Sequence, residues 1–186
     1  EEHPPRKHFG EMCTDIRYWC LLFGTFFVVG SCGTYYIEAQ SIANAIGSPD
    51  VGANINKAYY ISQSATILGG GLLAAIFNRL INGWLLAAAA AFSAMVGFVL
   101  VFASESNDFW FYLSAFFIGA GIGGWWVIVP QIITDDAGPR SFESLWGLTL
   151  TVNAAGLFCF GRLFSWISEK AEPATPADCT GTSCYM

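Results

Sequence analysis

The sequence predicts an all-α membrane protein, and three observations lead there. Five apolar stretches, residues 18–37, 58–77, 80–103, 109–134 and 144–161, approach the length that crosses a bilayer. At a rise of about 1.5 Å per residue, roughly 20 residues cover the ~30 Å hydrocarbon core. None of the five contains an Asp, Glu, Lys or Arg, whereas a soluble core helix needs only one apolar face. The chain as a whole is 54% hydrophobic and 12% charged, and its charges fall between the runs or in the two tails. A soluble bundle fails on residues 80–103, which hold only Asn82, Ser93 and glycines besides apolar residues.

Each element follows in order. Residues 1–15 form a polar tail or cytoplasmic loop, opening Glu-Glu-His-Pro-Pro-Arg-Lys-His without the apolar core of a signal peptide. With no initiating Met, the chain reads as a piece of a longer one. The first span begins after Arg17 and ends before Glu38. A connection over 47–56 precedes the second span, which carries Gln63 about two turns in and three glycines, Gly69 to Gly71. A turn between Phe77 and Trp84 leads to the third span, and 104–108 to the fourth, which contains Gly119 to Gly124 and Pro130. The fifth holds Asn153 midway and reaches Arg162. Residues 16–167 form the helical bundle, and 168–186 a polar outer loop.

Short connections make neighbouring helices antiparallel, and positive charge assigns the sides. Arg6, Lys7, Arg17, Arg79 and Arg140 fall on one side, which reads as cytoplasmic; Lys57 and Lys170 dissent. The net charge of −6 lies largely in solvated tails and loops, and no Lys/Arg cluster suggests nucleic acid. Cys13, Cys20, Cys32 and Cys159 lie in or beside spans as small apolar residues. Cys179 and Cys184, in Cys-Thr-Gly-Thr-Ser-Cys, form a loop that a disulfide would close in an oxidising compartment. A metal pair is the alternative, with no His or further Cys nearby to complete it.

An offset of 91 positions matches Trp19 with Trp110, Leu22 with Leu113, Phe26 with Phe117, Gly30 with Gly121, Gly33 with Gly124 and Gln40 with Gln131. Tyr35 meets Trp126 on the same register, and more loosely Tyr59 meets Trp146 and Gly69 meets Gly156. Repeated three-helix units build many secondary transporters. The first span then pairs with the fourth and the second with the fifth, and a sixth helix is expected beyond Met186.

Residues 30–47, Gly-Ser-Cys-Gly-Thr-Tyr-Tyr-Ile-Glu-Ala-Gln-Ser-Ile-Ala-Asn-Ala-Ile-Gly, resemble the seventh helix of nodulin-like members of the major facilitator superfamily. Gly69 to Gly71, running into Asn78, Arg79 and Gly83, resemble that superfamily's cytoplasmic loop motif, with Asn78 standing where the acid would be. Trp146-Gly-Leu, Gly161-Arg-Leu-Phe and the Cys179–Cys184 loop are similar to the eleventh helix and outer loop of protist members. The resemblance implies the carboxyl-terminal half of such a transporter, helices seven to eleven. It further implies an amino-terminal half as partner, with alternating access for a small polar organic solute. Amino acids or monocarboxylates are the first solutes it suggests, with a proton or sodium ion as coupling ion.

Polar and aromatic residues inside spans are the site candidates, since each costs free energy in lipid unless it faces protein or water. Glu38 and Arg162 sit near the outer interface, where snorkelling competes with a role in solute, proton or anion contact. Gln63 and Asn153 serve either as interhelical glue or as solute-orienting amides. Tyr35, Tyr36, Trp125 and Trp126 read as interfacial belt or cavity lining. The glycines favour close packing over a hinge, and 119–124, without a preceding strand, is no nucleotide loop. An embedded enzyme would need His or carboxylate clusters at membrane depth, but His3 and His8 both lie in the amino tail. A channel would need a filter or pore ring. No enzyme activity and no cofactor or metal are expected; a receptor or scaffold without transport is the main alternative.

Overall fold

The computed structural model describes residues 9–46, 49–77, 82–104 and 107–171. These form six helices: α1 (Phe9–Thr14), α2 (Ile16–Ile46), α3 (Pro49–Phe77), α4 (Gly83–Ala103), α5 (Asp108–Ala137) and α6 (Pro139–Ala171). Local chemistry sets their ends. Asp15 accepts from the Arg17 backbone N–H at 2.9 Å and starts α2. Asn82 and Asn107 cap α4 and α5 in the same way, accepting from Trp84 and Phe109 at 3.0 and 2.9 Å. Gly138, at φ 73°, ends α5 while its N–H returns to Thr134, and Pro139 opens α6 at the position where a missing N–H costs nothing.

The helices outlast the uncharged runs. Glu38 lies inside α2, which runs on to Ile46. Most of the connection expected over 47–56 is the first two turns of α3, begun by Pro49. A helix α1 stands within the amino-terminal tail, and α6 extends beyond residue 161. α3 ends at Phe77 and α4 begins at Gly83 as separate helices; residues 78–81, where the turn is expected, lie outside the described residues.

Four of the helices are long and apolar enough to cross a membrane: α2, α4, α5 and α6. The chain is a multi-pass membrane protein. α3 is equally long, but Tyr59, Tyr60, Ser62, Gln63, Ser64, Thr66 and three glycines dilute its apolar character, and it is not among the four.

Contacts between helices give their directions. Gly119 lies on Tyr59, and a Cβ at Gly123 would stand 2.6 Å from the Gln63 carbonyl oxygen, so α3 and α5 run parallel. Gly97 faces Ser114 and Ile118, while Gly83 faces Ile132, so α4 is antiparallel to α5. The Tyr18 hydroxyl donates to the Leu145 carbonyl, and Gly30 meets Gly156, so α2 and α6 run parallel. Gln40 against Gly52 and Tyr36 against Tyr59 make α2 and α3 antiparallel. The five long helices therefore alternate in direction. α5 is the hub, touching each of the other four, while α6 leans mainly on α2 and leaves Phe158, Leu163 and Trp166 exposed.

The arrangement also bears on the repeat. α2 and α5 are antiparallel, as inverted units require, and the pairs α2–α6 and α5–α3 are both parallel. In the 91-position register, the place Gly156 takes between Phe26 and Gly30 is taken on α5 by Tyr59 against Gly119. By these contacts Tyr59 corresponds to Gly156, which fits neither looser match, Tyr59 with Trp146 or Gly69 with Gly156, because backbone approach and not residue type sets the register.

Candidate functional site

The middle of the bundle is where polar side chains gather without charge. Gln63 is the central residue of α3 and sits against Gly123, near the centre of α5. The approach needs glycine: a side chain at 123 would strike the α3 backbone. Asn153 lies near the middle of α6, one turn before Gly156, whose close contact with Phe26 and Gly30 fixes its depth against α2. Trp125 ties α5 to α2 at this level, its indole Nε1 donating to Thr25 Oγ1 over 3.1 Å.

The candidates separate by what already occupies them. Tyr35 is buried, its hydroxyl 3.1 Å from Ser114 Oγ and its ring edge-on to Phe98 and Phe111. Trp125 is buried likewise. Both act as interhelical ties, a bond type worth about 0.6 kcal/mol on average in membranes. Tyr36 stacks on Tyr59 at 5.3 Å and meets Tyr60 edge-on at 5.0 Å, forming a three-tyrosine cluster where α2 and α3 meet. Trp126 is half-buried and packs edge-on against Trp146 at 5.8 Å, and Phe142 lies nearly parallel to Trp146 at 6.0 Å.

Gln63 and Asn153 are both half-buried, and the Asn153 side-chain oxygen has no hydrogen-bond partner among the described residues. The Asn153 carbonyl oxygen is fully enclosed, as are Thr34 Oγ1 and Asn56 Oδ1. A buried polar atom without a partner costs about 1–3 kcal/mol, so such atoms call for an explanation.

Glu38 is half-buried and accepts from Ser41 Oγ at 3.2 Å; Arg162 is exposed. The two form no ion pair. Gly83 opens α4 against Ile132. Asn78, Arg79, Cys179 and Cys184 lie outside the described residues. No three His, Cys, Asp or Glu side chains converge among the described residues.

The structure adds Trp146, Phe142 and Thr25 to the region. For Trp146 a signal was present: it precedes Asn153 by seven residues, two helical turns, so both stand on one face of α6. Thr25 carried none, since a lone threonine in an apolar run usually bonds its own helix. Here it does that too, donating to the Leu21 carbonyl at 2.9 Å.

No family model matches the chain, and no solved structure matches it. A curated relative, described as "Probable transporter MCH1" of Wickerhamomyces anomalus, is 22% identical over 169 residues. The match takes in 89% of this chain and 34% of the relative, so the chain spans about a third of that protein's length.

Proposed function

We propose that this chain is the carboxyl-terminal part of a secondary transporter of the major facilitator type. It supplies five membrane-spanning helices, α2 to α6, and moves a small polar organic solute by alternating access. An amino-terminal half and a sixth helix complete the protein under this reading, and the carboxyl tail faces outward. The observation that carries it is the pair of mid-length amides: Gln63 on α3 and Asn153 on α6 stand at the depth of 123–125 on α5, and the enclosed side-chain oxygen of Asn153 has no partner among the described residues. Transporter sites form near the midplane between helices of repeated units, and unpaired polar groups at that depth mark a solute path. The alternating helices, the antiparallel α2 and α5, and the similarity to a probable transporter support the same reading.

The test is uptake into liposomes reconstituted with the full-length gene product. Gln63→Ala and Asn153→Ala should lower uptake by more than they lower the amount of folded protein. Equal losses would return both amides to a packing role. A folded, oriented protein that passes no member of a broad solute panel would point to a receptor or scaffold.

A further inference from the structure

Two helices leave a long side uncovered, and the two sides differ in kind. The exposed side of α4 carries Leu85, Phe92, Met95, Val99 and Phe102, with only alanines between them. Bulky and uncharged, it suits lipid tails. α6 turns Gly156 towards α2. On its opposite side Gly147, Thr151, Ala154, Phe158 and Arg162 are all exposed, at spacings that keep them on one helical face. A Cβ at Gly147 would meet nothing within 4 Å. Small residues on the outside of a span favour the close approach of another helix.

Arg162 makes the stronger demand, because a guanidinium stays charged in every protein setting. It stands four residues, about 6 Å, before Trp166 on α6. The Lys170 ammonium lies over the Trp166 ring at 4.2 Å and marks the watery end of the helix. Cα–Cβ bonds lean towards a helix's N-terminus, which on α6 is towards the membrane interior. The guanidinium must therefore bend back past its own Cα to reach water. Among the described residues it makes no ion pair: Glu38 is engaged by Ser41, and Glu169, the next acid along α6, is seven residues on. A charge at such a depth is stable when it faces protein and meets an opposite charge.

Resting on the transporter reading above, we infer that this face of α6 is covered by a membrane-spanning helix of the amino-terminal half, which carries an Asp or Glu opposite Arg162. The small residues let the two helices approach, and the carboxylate takes the guanidinium fork in a charge-assisted pair. That pair ties the two halves together near the Trp166 end of α6. The matched segment is 34% of the relative's length, so a protein of that size has chain to spare for such a helix.

The experiment uses the full-length protein without its native cysteines and with a protease site in the segment preceding Phe9. Ala154→Cys and, as control, Val99→Cys are each labelled with a benzophenone maleimide, irradiated in membranes and then cleaved. Ala154→Cys should capture the amino-terminal fragment and Val99→Cys should not. Peptide mapping then names the facing helix and its carboxylate. Arg162→Glu should lower the melting midpoint in detergent, and reversing that carboxylate to Arg in the same molecule should restore it. Capture of the amino-terminal fragment from neither position, or from both alike, overturns the docking surface. Capture of a second copy, or of a helix within the carboxyl-terminal fragment, overturns the occupant. A facing helix without Asp or Glu, or a midpoint that charge reversal does not restore, overturns the ion pair. None of these readouts needs a solute, so they are separate from the transporter reading, which fails if folded protein passes no member of a solute panel.

Discussion

Trp125 on α5 and Thr25 on α2 are joined by an indole-to-hydroxyl hydrogen bond of 3.1 Å, and the Thr25 hydroxyl in turn donates a hydrogen bond to the Leu21 carbonyl. Gly24 makes room for it, since a Cβ there would stand 2.5 Å from the indole ring. One tryptophan thus fastens the hub helix to α2, while its neighbour Trp126 turns towards α6.

Removing that tie should weaken the bundle. Trp125→Phe keeps the ring and deletes the N–H, so a loss of about 0.6–1.7 kcal/mol is expected. Thermal unfolding in detergent, followed by tryptophan fluorescence or by aggregation, should show a lower midpoint than the parent. An unchanged midpoint would mean that the bond contributes nothing beyond packing.

The glycines of α3 and α5 should differ in tolerance. Gly123→Leu drives a side chain into the backbone of Gln63, and overpacking of this kind costs about 1–3 kcal/mol or more. Gly71→Ala meets nothing within 4 Å and raises helix propensity. Membrane yield and monodispersity on a sizing column should fall sharply for the first and stay level for the second. Similar behaviour of both would contradict the close α3–α5 crossing.

Orientation is open to chemical mapping. Under the proposed topology, Ser106→Cys in a cysteine-free background should react with an impermeant maleimide on sealed cells. Arg140→Cys should react only after permeabilisation. The reverse pattern would invert the assignment made from positive charge.

The tail offers an independent reading of the same question. Cys179 and Cys184 are expected to be paired and outward, so labelling of intact cells should need prior reduction. Labelling without reductant would remove the disulfide.

Much of the fold was legible in the chain. An uncharged run of about 20 residues has no stable home in water, so the spans over 80–103 and 109–134 followed from composition. Helix ends were less legible, because Glu38 and Asp50 interrupt the apolar runs yet sit comfortably in helices that continue past them. Candidate residues were found by polarity, which locates Gln63 and Asn153 but does not distinguish a spent hydrogen bond from an unused one.

That distinction belongs to the tertiary structure. Trp125 and Trp126 are equivalent in sequence, but consecutive residues on a helix point about 100° apart. One finds Thr25 and is consumed as a tie; the other packs edge-on against Trp146. Hydropathy determined that these helices enter the membrane, since lipid excludes charge from every face of a span alike. Which face turns inward was decided by glycine contacts, Gly123 on Gln63 and Gly30 on Gly156, because in an apolar solvent close backbone approach, and not hydrophobicity, selects the partner.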